Sequence, residues 1–249
     1  MKKTNNIYIY NDSFISLLCL IKNLFLNNEI PFNIRPSDYQ GNLFDEVIRL
    51  EINDDENIIN NITKNMGLRI FNTLYYLYLS DNKDKEIIIY YFLYYSIIYK
   101  NKIFDMHKIS YINNALKISK YVSRENHKIK GFLRFKELNS GALYAEISPT
   151  NNILPILVKH FITRLKNEDW LIKDTKRNIL AIYDKKDVYL VEAKDINLSL
   201  NDYSSDEEKI QDMWKSFYKT IGIEHRKSDR CRRNFMPKKY WKYIIEVKG

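Results

Sequence analysis

The spacing of the apolar residues changes from helical to alternating near Ile129, and that change limits the folds open to this chain. Over residues 55–127 the pattern is helical, broken at Gly67, at residues 80–84 and at residues 101–104. In the last of these helices Ile109, Ile112, Leu116, Tyr121 and Val122 recur at helical spacing, leaving Lys108, Lys117 and Lys120 for solvent. After Ile129 the period becomes two. Residues 130–138 set Leu133 and Phe135 on one face and Phe132, Arg134 and Lys136 on the other, and past the Asn139–Ser140–Gly141 turn Leu143, Ala145 and Ile147 alternate with Tyr144 and Glu146. A helix follows from Asn152, with Asn151 or Asn152 as cap, Pro155 in its first turn and Leu154, Leu157, Val158, Phe161 and Leu165 on one stripe. Strands over 169–175, 178–184 and 187–193 complete a ββαβββ order, which predicts an antiparallel sheet backed by a helix.

The ends of the chain frame this unit. Ile7, Tyr8, Ile9 and Tyr10 form a β-prone run, and Asn11, Asp12 and Ser13 offer oxygens to cap a helix reaching about Asn28. Pro31 and Pro36 mark a loop, and residues 46–52 a second strand. Beyond a polar linker at 197–205, Ile210, Met213, Trp214, Phe217 and Ile221 define an amphipathic helix, and Pro237 starts a last short helix carrying Tyr240, Trp241 and Ile244. The expected fold is α+β: an N-terminal strand–helix and helical layer packed beside an antiparallel sheet unit, then a C-terminal helix and basic tail. Its segments are 1–128, 129–196 and 197–249, in one compact unit.

Composition narrows the function classes. With 45% apolar residues in 249, a hydrophobic core is available. Cys19 and Cys231 are too few for a disulfide framework or a cysteine-built metal site, which points to a reducing cytoplasm. The apolar run at 87–99 falls short of the ~20 residues a membrane helix needs, and Asp12 and Lys22 interrupt what would otherwise resemble a secretion signal, so no membrane partner is expected. The crowded tyrosines of 75–95 read as packing.

The formal charge of +9 is concentrated. Arg226, Lys227, Arg230, Arg232, Arg233, Lys238, Lys239 and Lys242 face the single acid Asp229, giving this segment +7 and leaving +2 for the rest of the chain. Interleaved with Tyr240 and Trp241, these cations form the candidate nucleic-acid-binding set, because cations neutralise phosphates while rings stack on exposed bases. The alternative is a solvated basic face whose rings anchor the tail. A second candidate is Asp174, Lys176 and Arg177 at a hairpin turn, with His160 as an accessory: Asp174 would orient Arg177 for a phosphate or serve as a base. Its alternative is a turn-stabilising ion pair. No metal or cofactor is expected, since HExxH, GxxxxGK[ST], GxGxxG and GxSxG are all absent.

Several segments, in order, resemble a bacterial family of unknown function associated with DNA metabolism and DNA repair. They are KGFLRF at 130–135, NILPILVKHF at 152–161, WLIKDTKR at 170–177 with Tyr183 and Asp184, and FMPKKYW at 235–241. The opening IYIYNDSF at 7–14 is similar too, with Asn11 and Asp12 where the family has Asp-Gly. The resemblance implies a DNA repair or modification setting with a radical-SAM partner protein, and a related domain occurs fused to uracil-DNA glycosylase-like domains. The three-cysteine cluster of the first and the His-Pro-Ser segment of the second are absent here. The reading that follows is a DNA-binding component presenting DNA to a partner enzyme. Its rivals are an enzyme acting on damaged DNA around Asp174, Lys176 and Arg177, and a protein-interaction subunit.

Overall fold

A computed structural model describes residues 1–42, 44–50, 52–193, 203–221 and 228–245. Helices and sheets both contribute, as expected of an α+β chain. The chain divides into two compact units, Met1–Ser123 and Arg124–Gly249.

In the first unit, β1 (Lys2–Lys3) pairs in parallel with β3 (Glu29–Ile30), while β2 (Asn6–Tyr10) lies between β4 (Asn33–Pro36) and β5 (Glu46–Arg49), parallel to both. Helix α1 (Phe14–Leu26) is the crossover from β2 to β4, as parallel pairing requires. Ser13 caps it, its Oγ accepting from the Ser16 N–H at 2.9 Å. Residues 33–36, expected in a loop, are instead the edge strand β4. Pro36 is tolerated there because an edge strand has one side without a ladder partner, and Ile34 fills the core. Asp12 has φ of +31° and accepts two hydrogen bonds from Ser37.

The helices α2 (Ile58–Met66), α3 (Leu68–Tyr78) and α4 (Lys85–Tyr99) break where the sequence places Gly67 and residues 80–84. Leu17, Leu18, Ile21, Leu74, Ile89 and Phe92 lie at the centre of this core, and the tyrosines pack as rings against rings, Phe14 on Tyr75 and Tyr78 among them. Among the described residues no helix is long and apolar enough to cross a membrane.

Helix α5 (Ser110–Phe132) runs through the boundary between the units. Residues 130–132, expected to begin a strand, are its last turn. Ile129, Phe132 and Leu133 satisfy the i, i+3, i+4 spacing of a helix, whereas alternation sends Phe132 and Leu133 to opposite faces, and the Leu133 N–H still bonds the Ile129 carbonyl. The strand is reduced to β6 (Lys136–Glu137).

The second sheet has the order β10–β9–β8–β7–β6, built from β7 (Leu143–Ile147), β8 (Trp170–Asp174), β9 (Ile179–Tyr183) and β10 (Val188–Glu192). It is antiparallel except where β7 and β8 run parallel, because α6 (Leu154–Arg164) carries the chain back across the sheet between them. Neither Asn151 nor Asn152 caps α6. Its N-cap is Ile153, which has no side-chain bond to give, and the Asn151 amide is engaged elsewhere. Trp170, fully buried, packs on Phe161 of α6 and on Tyr183. Strand alternation sends Tyr144, Glu146, Leu171 and Leu180 to the opposite face. Helix α7 (Ser205–Ile221) presents the expected apolar spacing, but Ile210, Met213, Phe217 and Ile221 are all more than half exposed.

Candidate nucleic-acid interface

The tail is folded. Ser228 caps α8 (Asp229–Phe235) by accepting from the Cys231 N–H, and a 3-10 turn, Lys238–Tyr243, follows Pro237. Among the expected contact residues, Arg230, Arg233, Lys238, Lys239 and Lys242 are exposed, Lys239 while paired with Glu125. The Arg232 guanidinium lies 4.8 Å from the centre of the Trp241 ring and the Lys238 ammonium 5.9 Å from it, while the Trp241 Nε1–H donates to the Met236 carbonyl at 2.8 Å. Trp241 is thus held by its own tail. Arg226 and Lys227 lie outside the described residues.

Tyr240 faces inward, and Lys239, itself exposed, reaches the same buried partner, Glu125. Tyr240 is buried and its hydroxyl donates to Glu125 Oε1 at 2.6 Å, so its ring has no face open to a base. Lys239 Nζ meets the same oxygen at 2.9 Å and Thr150 Oγ1 at 2.7 Å. Glu125, on the last turns of α5, also accepts from the Thr150 and Asn151 N–H groups and from the Asn151 amide. Burial pushes its pKa up, but the hydrogen bonds from Tyr240, Asn151, Thr150 and Lys239 outweigh that and hold it at about 2. This buried acceptor docks the tail onto the β7–α6 loop. Sequence reasoning missed it, since nothing local distinguishes Glu125 from the other charged residues of α5.

The same loop receives the hairpin turn. Asp174 is fully buried at the end of β8, and its Oδ2 accepts from Arg177 Nη1 at 3.0 Å while Oδ1 accepts from the Lys176 and Arg177 N–H groups. Arg177 Nη2 and Lys176 Nζ donate to the Thr150 carbonyl at 2.6 and 3.1 Å. This is the turn-stabilising arrangement, drawn into the interior rather than left in water. His160 is not brought to it: the imidazole packs edge-on against Phe161, and burial with nearby Lys130 and Arg164 lowers its pKa. A base at Asp174 would have to give up the bonds that shape its own turn. Among the described residues no cluster of His, Cys, Asp or Glu is placed to hold a metal.

On the opposite sheet face a cavity of about 350 Å3 opens beside the tail. Arg134, Lys136, Lys215 and Lys242 contribute cations, Glu146 one carboxylate, and Tyr144, Tyr203 and Tyr243 rings. The Lys136 ammonium lies 4.7 Å from the Tyr203 ring centre and that of Lys242 4.6 Å from Tyr243. Tyr144 donates to Glu146 at 2.8 Å, and burial together with that carboxylate raises its pKa. Thr175 shares a hydrogen bond with Tyr243, tying the cavity wall to the turn after β8. The sequence had shown Arg134, Lys136, Tyr144 and Glu146 only as outward alternates of two strands.

No curated protein and no solved structure matches the chain. The sequence pattern described as a domain of unknown function, DUF4130, matches residues 83–246, about two thirds of the chain. That span takes in α4, α5, the whole second sheet, the cavity and the tail, and the chain belongs to this family.

Proposed function

We propose that this protein is a DNA-binding component of a bacterial DNA repair or modification system, holding or presenting DNA to a partner enzyme. The sequence resemblance points to a radical-SAM protein as that partner and to a setting shared with uracil-DNA glycosylase-like domains. The observation that carries the reading is the sorting of the tail. Tyr240 and Trp241 are engaged on Glu125 and Met236 and Lys239 is paired with Glu125, while Arg230, Arg233, Lys238 and Lys242 are exposed cations on a folded support. Outward cations held on fixed backbone meet phosphates at lower ordering cost than a loose basic tail would. With Tyr240 and Trp241 engaged internally, the tail's role is phosphate contact rather than base stacking.

Four phosphate contacts predict that log affinity falls with log salt at a slope of about −3 to −4. Replacing Arg230, Arg233 and Lys238 together by Ala flattens that slope by about 2 to 3. Fluorescence anisotropy with single-stranded and duplex oligonucleotides at several salt concentrations reads both values. An unchanged slope in the triple variant removes the tail from the interface, and binding to a protein partner that survives nuclease treatment, without any DNA affinity, would favour an interaction subunit instead.

A further inference from the structure

The cavity beside the tail has a charge pattern that its own walls do not balance. Four cations and one carboxylate line it. Lys215 is paired with Asp212 at 3.0 Å, but the ammoniums of Lys136 and Lys242 meet tyrosine rings and no carboxylate among the described residues. An ammonium at a partly enclosed wall favours an anion supplied from outside, and a phosphate is the anion that several convergent donors hold best. The half-buried rings of Tyr203 and Tyr243 in the same wall supply apolar area of the kind that packs on a planar base. The volume, about 350 Å3, lies at the small end for ligand sites and suits one nucleotide, not a duplex.

Polarity is also divided within the site. Glu146, with Tyr144 donating to Oε1, retains acceptor capacity and repels a phosphate, so it suits the donor-bearing edge of a base while the lysines take the phosphate. We infer that this cavity binds a single nucleoside monophosphate unit, its phosphate on Lys136 and Lys242 and the amino-bearing edge of its base on Glu146. This rests on the DNA-binding reading for its ligand class and deepens it: the tail holds the strand's backbone, and the cavity takes one nucleotide. A nucleotide drawn out of a strand and a free nucleotide share this chemistry.

Calorimetric titration of the full-length chain separates the outcomes. dGMP is expected to bind, deoxyguanosine at least tenfold more weakly, and Lys136→Gln with Lys242→Gln to weaken dGMP tenfold or more. Glu146→Gln should narrow the preference for dGMP over dTMP. A single-stranded oligonucleotide that displaces dGMP identifies the source as a nucleotide of the strand, and failure to displace it identifies a free nucleotide. No binding of dGMP, binding unchanged in the double lysine variant, or inorganic phosphate binding as tightly as dGMP would overturn the inference. The Arg230, Arg233 and Lys238 triple variant spares the cavity, so it distinguishes the two readings. DNA binding without dGMP binding sinks the cavity alone, and dGMP binding without DNA binding sinks the tail interface alone.

Discussion

Glu125 shows how one buried carboxylate can decide where a basic tail goes. It collects two backbone N–H groups, the Asn151 amide, the Tyr240 hydroxyl and the Lys239 ammonium, with only 3% of its side chain exposed. Glu125→Gln leaves Lys239 without its counter-charge and should cost about 3 kcal/mol in urea unfolding at neutral pH. The pH dependence has a definite sign. Because the folded pKa is held at about 2, below the ordinary 4.5, Glu125 stabilises the fold above about pH 4.5, and that contribution is lost as pH falls toward 2. Stability curves of the wild type should show this acid limb, and those of Glu125→Gln should show it reduced. Asp174 was legible because Asp, Lys and Arg stand within four positions of sequence. Glu125 was not, because its partners lie 25 to 115 residues away.

At the scale of elements, boundaries followed local chemistry where one signal acted alone. Ser13 caps α1 as its position suggests, and Ser13→Ala should lower stability by about 1 kcal/mol in denaturant unfolding, because the Ser16 N–H loses its acceptor. Gly67 divides α2 from α3 at φ of +92°, a conformation glycine reaches without strain. Where two signals overlapped, the sequence was ambiguous: Leu133 and Phe135 alternate as in a strand while Ile129, Phe132 and Leu133 keep helical spacing, and the helix won by extending a ladder already formed. β4 went unread because Asn33–Pro36 has one apolar residue and a proline, and its pairing with β2 comes from the crossover rather than from its own propensity. The direction of β7 against β8 was likewise set by α6 returning the chain to the same end of the sheet.

In the molecule as a whole, the tail is part of the second unit's fold as well as its cationic edge. Deleting residues 228–249 removes Tyr240, Lys239 and the buried Ile244 from their places, so that deletion should destabilise the unit in thermal unfolding. The Arg230, Arg233 and Lys238 triple variant leaves Tyr240, Lys239 and Ile244 in place and should melt closer to the wild type than the deletion does. Composition and spacing by themselves determined the α+β class, the helix breaks, the ββαβββ order and the concentration of charge near the C-terminus, because each is written in neighbours along the chain. Tertiary structure alone decided which of those charges face water and which are neutralised within. It also decided that Arg134 and Lys136, both more than a hundred positions before Lys242, share one cavity with it. Burial and ion pairing depend on residues made adjacent by folding, and one-dimensional spacing carries no measure of that distance.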